Sequence, residues 1–301
     1  MKVFITGGAG FIGSHLVEAL QKRAEKLVVL DDLSSGYRKN LDGLECEFVE
    51  GSITDRELVR RSMTDCDIVF HLAAEVSVAK SIHNPLECLN RNGTGLLNVL
   101  ETAKELEVRK VIFASSAAVY GDSEVSPKCE TMKPEPKSPY AVTKLDGEYY
   151  LDIYKKEFGL NYSAMRFFNV YGVRQDPNGP YAAAIPIFIE KAKRGEKIVV
   201  YGDGEQTRDF IHVSDVVKGL IFAAENEGLQ GVYNLAGGKE ISLNHLIRRI
   251  CDIVKADIGI EYGPPRPGDI RHSCANTEKL SNLGFTTTVT LDEGLKTMLP
   301  D

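Results

Sequence analysis

Short apolar runs alternate with longer stretches of helical periodicity through the first half of the chain. Val3–Thr6, Leu27–Leu30, Glu47–Glu50, Ile68–Phe70, Val111–Ser115 and Tyr162–Phe168 are rich in Val, Ile and Phe. Most are apolar at successive positions, as strands covered on both faces must be. Between them, Gly13–Lys22 places Leu16, Val17 and Leu20 at helical spacing, and Leu96–Glu107 does the same with Leu96, Leu97, Leu100 and Ala103. Strand–helix alternation of this kind predicts an α/β fold with a doubly wound parallel sheet and right-handed crossovers. After Phe168 the pattern changes. Asn169–Pro186 is rich in Gly, Pro, Asn and Tyr and reads as loop, and Gly259–Pro267 is rich in Pro and Gly. Ile198–Tyr201 and Arg208–Val213 flank Gly202-Asp203-Gly204, which predicts a turn between two strands. The expected organisation is a first domain over 1–168, rejoined by 209–236. A smaller, discontinuous lobe is expected from 169–208 and 237–301.

The turn after the first strand carries chemistry. In Thr6-Gly7-Gly8-Ala9-Gly10-Phe11-Ile12-Gly13, both Gly8-x-Gly10-x-x-Gly13 and Gly7-x-x-Gly10-x-x-Gly13 satisfy a dinucleotide fingerprint. Such glycines permit a tight turn, close approach of backbone to a pyrophosphate, and close helix–strand packing. The helix that follows presents free N–H groups and a partial positive charge to the phosphates. The first domain is therefore expected to be of Rossmann type. Asp31 closes the second strand, 18 residues after Gly13. A carboxylate there accepts hydrogen bonds from ribose hydroxyls and repels a 2′-phosphate, which favours NAD over NADP. Asp32 shares that role or sits in the turn. Arg38 and Lys39, downstream, could instead welcome an extra phosphate.

A second motif is Tyr140-Ala141-Val142-Thr143-Lys144, preceded by Ser138-Pro139, an N-cap and first helical residue. Tyr140 and Lys144 then share one helix face, one turn apart. A phenol with a pKa near 10 is a poor base at neutral pH. An ammonium about 5 Å away contributes on the order of 3 kcal/mol, or roughly two pKa units. That nearly suffices, and the positive charge of an oxidised nicotinamide adds more. Ser116 ends Val111-Ile112-Phe113-Ala114-Ser115-Ser116 at the carboxyl end of a strand, where sites in parallel sheets gather.

Net charge is −7, with 43% hydrophobic and 26% charged residues. That balance argues against a nucleic-acid groove or a polybasic membrane surface. No apolar run approaches the roughly 18 residues of a membrane span. Met1-Lys2 leads at once into a strand-like run, leaving no room for a signal peptide. The six cysteines and six histidines are scattered without metal-ligand spacing, so reduced thiols in a cytoplasmic, metal-free protein are expected.

Across nearly its whole length the chain resembles the extended short-chain dehydrogenase/reductase family, most closely its nucleotide-sugar 4-epimerases of the UDP-glucose/UDP-galactose kind. The resemblance runs through Thr6–Ser14, His71-Leu72-Ala73-Ala74, Asn90-x-x-Gly93-Thr94, Ser115–Gly121, Ser138–Lys144, Arg166–Gly172, Tyr201–Val213 and Arg266–Asp269. It implies that Gly7, Gly10, Phe11, Ile12, Gly13, Asp31, Asp32, Ser52, Ile53, Leu72, Ala73, Ala74, Asn90, Tyr140 and Lys144 hold NAD. It implies that Ser116, Tyr140 and Lys144 are catalytic, Tyr140 taking the proton of the sugar 4-hydroxyl. Hydride would pass from C4 to NAD and return to the other face of a 4-keto sugar. Asn169 and Tyr201 would contact the substrate, Arg208 and Arg266 would clamp its diphosphate, and Asp269 would accept from its ribose. Ser273, small where some relatives have Tyr, would leave room for an N-acetyl group at C2. Helices 93–107 and 139–158 resemble a pair that forms a four-helix homodimer interface.

Three positions depart from the family pattern. Ser52 stands where relatives usually have Asp, Phe167 where Tyr is common, and Val76 where some epimerases have Lys. A 4,6-dehydratase would typically place Asp-Glu after the Ser116 position, and Ala117-Ala118 can transfer no proton. A nucleotide-sugar decarboxylase, a reductase and a non-catalytic NAD-binding regulator are the other readings.

Overall fold

The computed structural model describes residues 1–177, 183–265 and 271–299. Elements run β1 (Lys2–Thr6), α1 (Phe11–Leu20), β2 (Lys26–Asp31), β3 (Glu47–Glu50), α2 (Arg56–Met63), β4 (Ile68–His71), α3 (Val78–His83), α4 (Pro85–Leu89), α5 (Gly95–Glu105), β5 (Lys110–Ser116), α6 (Pro139–Phe158) and β6 (Asn161–Phe167). Then come β7 (Asn169–Tyr171), α7 (Ala184–Arg194), β8 (Ile198–Tyr201), β9 (Thr207–Arg208), β10 (Phe210–His212), α8 (Val213–Glu225) and β11 (Gly231–Leu235). The chain continues with β12 (Ile241–Ser242), α9 (Leu243–Val254), β13 (Ile260–Gly263), α10 (Glu278–Ser281) and α11 (Leu291–Thr297).

All six apolar runs are strands, each within a residue or two of its expected bounds. Together with β11 they form a seven-stranded sheet in the order β11-β6-β5-β4-β1-β2-β3. Every pairing from β3 to β6 is parallel, so Thr6, Asp31, His71 and Ser116 all end on one edge. The order reverses between β1 and β4. In such sheets that reversal opens the crevice where ligands bind. The fold is the Rossmann-type doubly wound sheet expected from the alternation.

Two compact units result. The first comprises 1–121, 134–167 and 217–233, and the second 122–133, 168–216 and 234–301. Residues 122–133, 168, 209–216 and 234–236 thus belong to the second unit, where the sequence pattern assigns them to the first. The core of the first unit joins Phe4, Val28, Leu30, Val69, Val111 and Phe113 from the sheet to Leu96, Val99, Leu100 and Leu151 from α5 and α6. That of the second gathers Ile185, Phe188, Ile198, Val200, Leu246, Ile247 and Leu295. Among the described residues, no helix is long and apolar enough to cross a membrane.

Two local expectations fail in the second unit. Asn169–Pro186 is not loop throughout: it opens with β7, which pairs in parallel with β10, and α7 begins at Ala184. A three-residue strand is too short to show a period. The glycines around Asp203 do turn the chain, with φ of +86° at Gly202 and +78° at Gly204. Yet β8 pairs in parallel with β13, inside the Pro/Gly-rich stretch, and not with the residues after the turn. Asp209 explains the divergence. Its buried carboxylate accepts from Gly237 N at 2.8 Å and from Gly238 N and Ala275 N at 3.0 Å, drawing the chain away from β8. Burial pushes this carboxyl up to about 6, partly offset by those three N–H donors.

Candidate active site

The glycine turn distinguishes its two possible fingerprints. Gly7 has φ +75°, and a Cβ there would stand 2.7 Å from Ala73 N. A Cβ on Gly13 would stand 2.1 Å from Gly7 O, so helix and turn touch through backbone alone. Gly8 is constrained by the sheet instead, against the Val29 side chain, while Gly10 meets only Gly7 O at 3.3 Å. Close backbone contacts therefore require glycine at Gly7 and Gly13, whereas Gly8 is confined by a side chain and Gly10 is the least crowded of the four. Helix α1 starts at Phe11 and Ile12 with no side-chain cap and no acidic residue in its first turn. Its N-terminal donors and dipole are left for an anion.

Across the switch point, the loop after β4 is pinned to this turn. Leu72 N donates to Thr6 O at 3.1 Å, and Ala73 N to Thr6 Oγ1 at 3.2 Å, with Ala74 following. Thr6 Oγ1 also bonds His71 Nδ1 at 2.8 Å, and burial pulls His71 down to about 3, so the ring stays neutral. Asp31 Oδ2 accepts from Ala9 N and Oδ1 from Leu33 N, both at 2.9 Å. Burial raises its pKa, and those N–H donors oppose the rise. With Gly10 N as a third donor, the carboxylate keeps room for one further hydrogen bond, such as a ribose hydroxyl would supply. Ser52 Oγ is shared with Thr54 at 2.9 Å, and Ile53 is buried against Gly95. Asn90 is exposed, on the π-helical turn Asn90–Thr94, and Val76 is 59% exposed. Glycines packed against backbone, an uncapped helix start and a buried carboxylate beside the turn fit a dinucleotide.

Ser116, Tyr140 and Lys144 come together at the carboxyl end of β5. Ser138 caps α6 through Ala141 N at 3.2 Å, Pro139 holds the first turn, and Gly159 in the left-handed region ends it. Tyr140 lies in that first turn. Its phenol lies close enough to the Ser116 side chain for that hydroxyl to favour the phenolate. Ser116 Oγ accepts from Ala118 N at 3.1 Å, which fixes the hydroxyl. Lys144 is buried, donates to Ala114 O at 2.8 Å, and lies 5.8 Å from the centre of the Tyr140 ring. Burial pulls Lys144 down to about 8. Among the chain's own groups, burial of Tyr140 outweighs the Ser116 hydroxyl, and the phenol sits above its ordinary value. The downward shift expected from Lys144 alone is thus not met: desolvation of the phenol is the larger effect.

Sequence reasoning missed the groups that brace this trio. Asn92, turned inward by the π turn, accepts from Glu75 N at 2.7 Å and donates to Glu75 O and Thr143 Oγ1 at 3.0 Å. One carboxamide so ties the loop after β4 to the helix carrying Tyr140 and Lys144. Glu148, one turn beyond Lys144 on the same face, is paired with Arg166 of β6 at 2.9 and 2.7 Å and accepts from Ser115 Oγ at 2.5 Å. Both side chains are only 4% exposed. A charge inside the otherwise apolar run Tyr162–Phe168 was the signal available in the sequence.

Within the second unit, Arg208 Nη1 donates to Thr207 O at 2.8 Å. Thr207 N donates to Arg271 O at 2.9 Å, and Ser273 follows on that segment, partly exposed. Tyr201 is 39% exposed at the end of β8, and Asn169 is exposed at the start of β7. Arg266 and Asp269 lie outside the described residues. Among the described residues no cluster of His, Cys, Asp and Glu is arranged to hold a metal.

The geometry agrees with comparison to known proteins. Residues 3–236 match the NAD dependent epimerase/dehydratase family. A UDP-glucose 4-epimerase of Mycolicibacterium smegmatis is 39% identical, over 98% of this chain and 96% of its own. The structure of a UDP-N-acetylglucosamine 4-epimerase from Methanobrevibacter ruminantium M1, in complex with UDP-N-acetylmuramic acid, superposes with a TM-score of 0.94 at 41% identity, covering 98% of this chain and 97% of that one. That of a UDP-glucose 4-epimerase from Thermotoga maritima with UDP-glucose also gives 0.94, at 40% identity over 99% and 97%. The chain belongs to the NAD dependent epimerase/dehydratase family. It is an enzyme, an isomerase, and its cofactor is NAD.

Proposed function

We propose that the protein interconverts UDP-hexoses epimeric at C4, UDP-glucose and UDP-galactose and their N-acetyl forms, through a 4-keto sugar. The observation that carries this is the convergence of Ser116, the Tyr140 phenol and the buried Lys144 at the carboxyl end of β5. Two hydroxyls held together are arranged to receive one sugar hydroxyl. Ser116 orients it, and Tyr140 takes its proton as the carbonyl forms, then returns it when the sugar has presented its other face. Lys144, held by Ala114 O, keeps positive charge beside the phenol and donates to a ribose hydroxyl. NAD bound along the switch point supplies the two-electron acceptor and donor. In the second unit, Arg208, with Arg266, is suited to a diphosphate by its guanidinium fork. Asn169, Tyr201 and Asp269 are assigned to the remaining sugar and nucleoside contacts.

The test is incubation with UDP-glucose, UDP-galactose, their N-acetyl counterparts and UDP-glucuronate, with no dinucleotide added. The C4 epimer is expected, with no net reduction of cofactor. Carbon dioxide released from UDP-glucuronate alone would favour a decarboxylase. No product at all, with NAD demonstrably bound, would favour a regulator.

Ser273 is assigned to the C2 substituent. Ser273→Tyr is expected to lower the ratio of UDP-N-acetylglucosamine to UDP-glucose turnover by about tenfold or more, a clash that small pockets enforce. An unchanged ratio in paired kinetic assays would remove Ser273 from that role.

We further propose a homodimer. Helix α6 turns Val142, Tyr149 and Ile153 outward, opposite Lys144 and Glu148, and α3 and α4 pack beside it with Ile82, Leu86 and Leu89 exposed. Leu86 is 81% exposed. Exposed apolar side chains on neighbouring helices are costly to leave in water; of the helix pair expected from the sequence, α6 carries them, while α5 has no large exposed apolar side chain. Sedimentation is expected to give twice the 33.2 kDa chain mass. A Leu86→Glu/Tyr149→Glu variant is expected to give that mass once.

A further inference from the structure

The loop after β2 folds over the glycine turn. Tyr37 N and Asn40 Nδ2 both donate to Ala9 O, at 3.0 and 2.9 Å, and a Cβ on Gly36 would stand 2.8 Å from the Ala9 backbone. Asp32 and Ser34 form the edge of this loop, Asp32 Oδ1 accepting from Ser34 N at 3.0 Å. Arg91 reaches that edge from the π turn. Its Nη1 lies 3.3 Å from Asp32 Oδ2 and 3.0 Å from Ser34 Oγ, and its Nε lies 3.0 Å from Glu87 Oε1. Nη2 takes part in none of these three contacts. The two other cations of the loop face aromatic rings, Arg38 over Phe48 at 4.6 Å and Lys39 over Tyr37 at 5.1 Å.

Dinucleotide sites on this fold read the adenosine 2′ position in one of two ways. A carboxylate accepts from a hydroxyl, or an arginine receives a phosphate. This chain brings both groups to one strand end, Asp31 facing the turn and, at Asp32 one residue further along, the guanidinium of Arg91 reaching in from the π turn. The guanidinium is already engaged by two carboxylates. We propose that Arg91 is a masked receptor for a 2′-phosphate and that Asp32 is the residue that masks it. The Asp32–Arg91 pair then sets how strictly the protein excludes NADP. Asp31 and Asp32 together repel the added phosphate, while Glu87 and Asp32 occupy the donors that would otherwise bind it. Removing the Asp32 charge leaves Ser34 Oγ and the Arg91 fork facing the loop edge, a pairing suited to phosphate oxygens. This inference rests on the ribose being held at Asp31.

The test uses the protein with its bound dinucleotide. It is equilibrated with equimolar NAD and NADP in large excess and desalted, and the retained nucleotides are separated by chromatography. Asp32→Asn keeps an acceptor for Ser34 N and removes the charge. It is expected to raise the retained NADP-to-NAD ratio about tenfold or more, the scale of one charge-assisted contact. Adding Arg91→Ala to that variant is expected to return the ratio to the starting value. A ratio unmoved by Asp32→Asn, or a gain that survives Arg91→Ala, would overturn the proposal. Retention of neither dinucleotide by the unmodified protein would overturn it together with the placement of the ribose. Epimerase activity plays no part in the readout, so failure of the sugar assignment leaves this result standing.

Discussion

Tyr140→Phe is expected to lower kcat by about 10²–10⁴-fold, the usual contribution of a positioned acid–base group, while KM changes little. Phenylalanine fills the same space in the first turn of α6, so Tm should stay within a degree or two. The phenol matters because Ala117 and Ala118, which follow Ser116 directly, carry no group that can take a proton. Ser116→Ala sharpens the prediction through pH. The Ser116 hydroxyl is what lowers the Tyr140 pKa against the upward effect of burial. Removing it raises that pKa, so the alkaline-rising limb of log kcat against pH moves to higher pH. A Tyr140→Phe enzyme as fast as the parent would remove Tyr140 as the base, and an unmoved limb in Ser116→Ala would remove the Ser116 hydroxyl as its tuner. Initial rates across pH 6 to about 10 give both answers.

Glu148→Ala is expected to destabilise the protein by about 3–5 kcal/mol, which is the cost of leaving one member of a buried ion pair alone. Arg166 would lose both carboxylate contacts, and Ser115 Oγ would lose its acceptor. Replacing both charges, as Glu148→Leu/Arg166→Leu, is expected to recover much of that loss, because no uncompensated charge remains. Urea titration separates the cases, since a change in midpoint at constant slope reports stability alone. A double variant no more stable than the single would mean that Arg166 is satisfied by its contact with the Tyr120 ring, 4.8 Å from Cζ, and that the pair is not the main brace.

These two predictions differ in how early they could be read. Tyr140 and Lys144 lie four residues apart, behind a Ser-Pro helix start, so local geometry alone puts them on one face. Gly7 and Gly13 are equally local, and the requirement they meet is steric. Glu148 also lies one turn from Lys144, but its partner is 18 residues away on another strand, and a lone Glu in a helix reads as solvated. Asn92 and Arg91 are harder still. Their partners, Glu75, Thr143 and Asp32, lie 17 to 59 residues off, and nothing in Asn90–Thr94 announces a π turn. Pairing of β8 with β13 was invisible for a similar reason: a glycine turn suggests a hairpin, and the buried Asp209 that undoes it acts through Gly237 and Ala275.

The π turn has a further meaning for how this chain can change. A π turn holds one more residue than the α turn it replaces, and it points neighbouring side chains in directions a regular helix would not. Between residues 90 and 94 it sends Arg91 out to the loop after β2 and Asn92 inward to Glu75 and Thr143. Loss of a single residue there would let the segment close into the regular α turn, keeping the flanking helices in register but losing the directions the π turn gives to residues 91 and 92. Neither side chain could then reach its partners. A deletion within this segment would therefore cost both sets of contacts at once, whereas a substitution can remove only one.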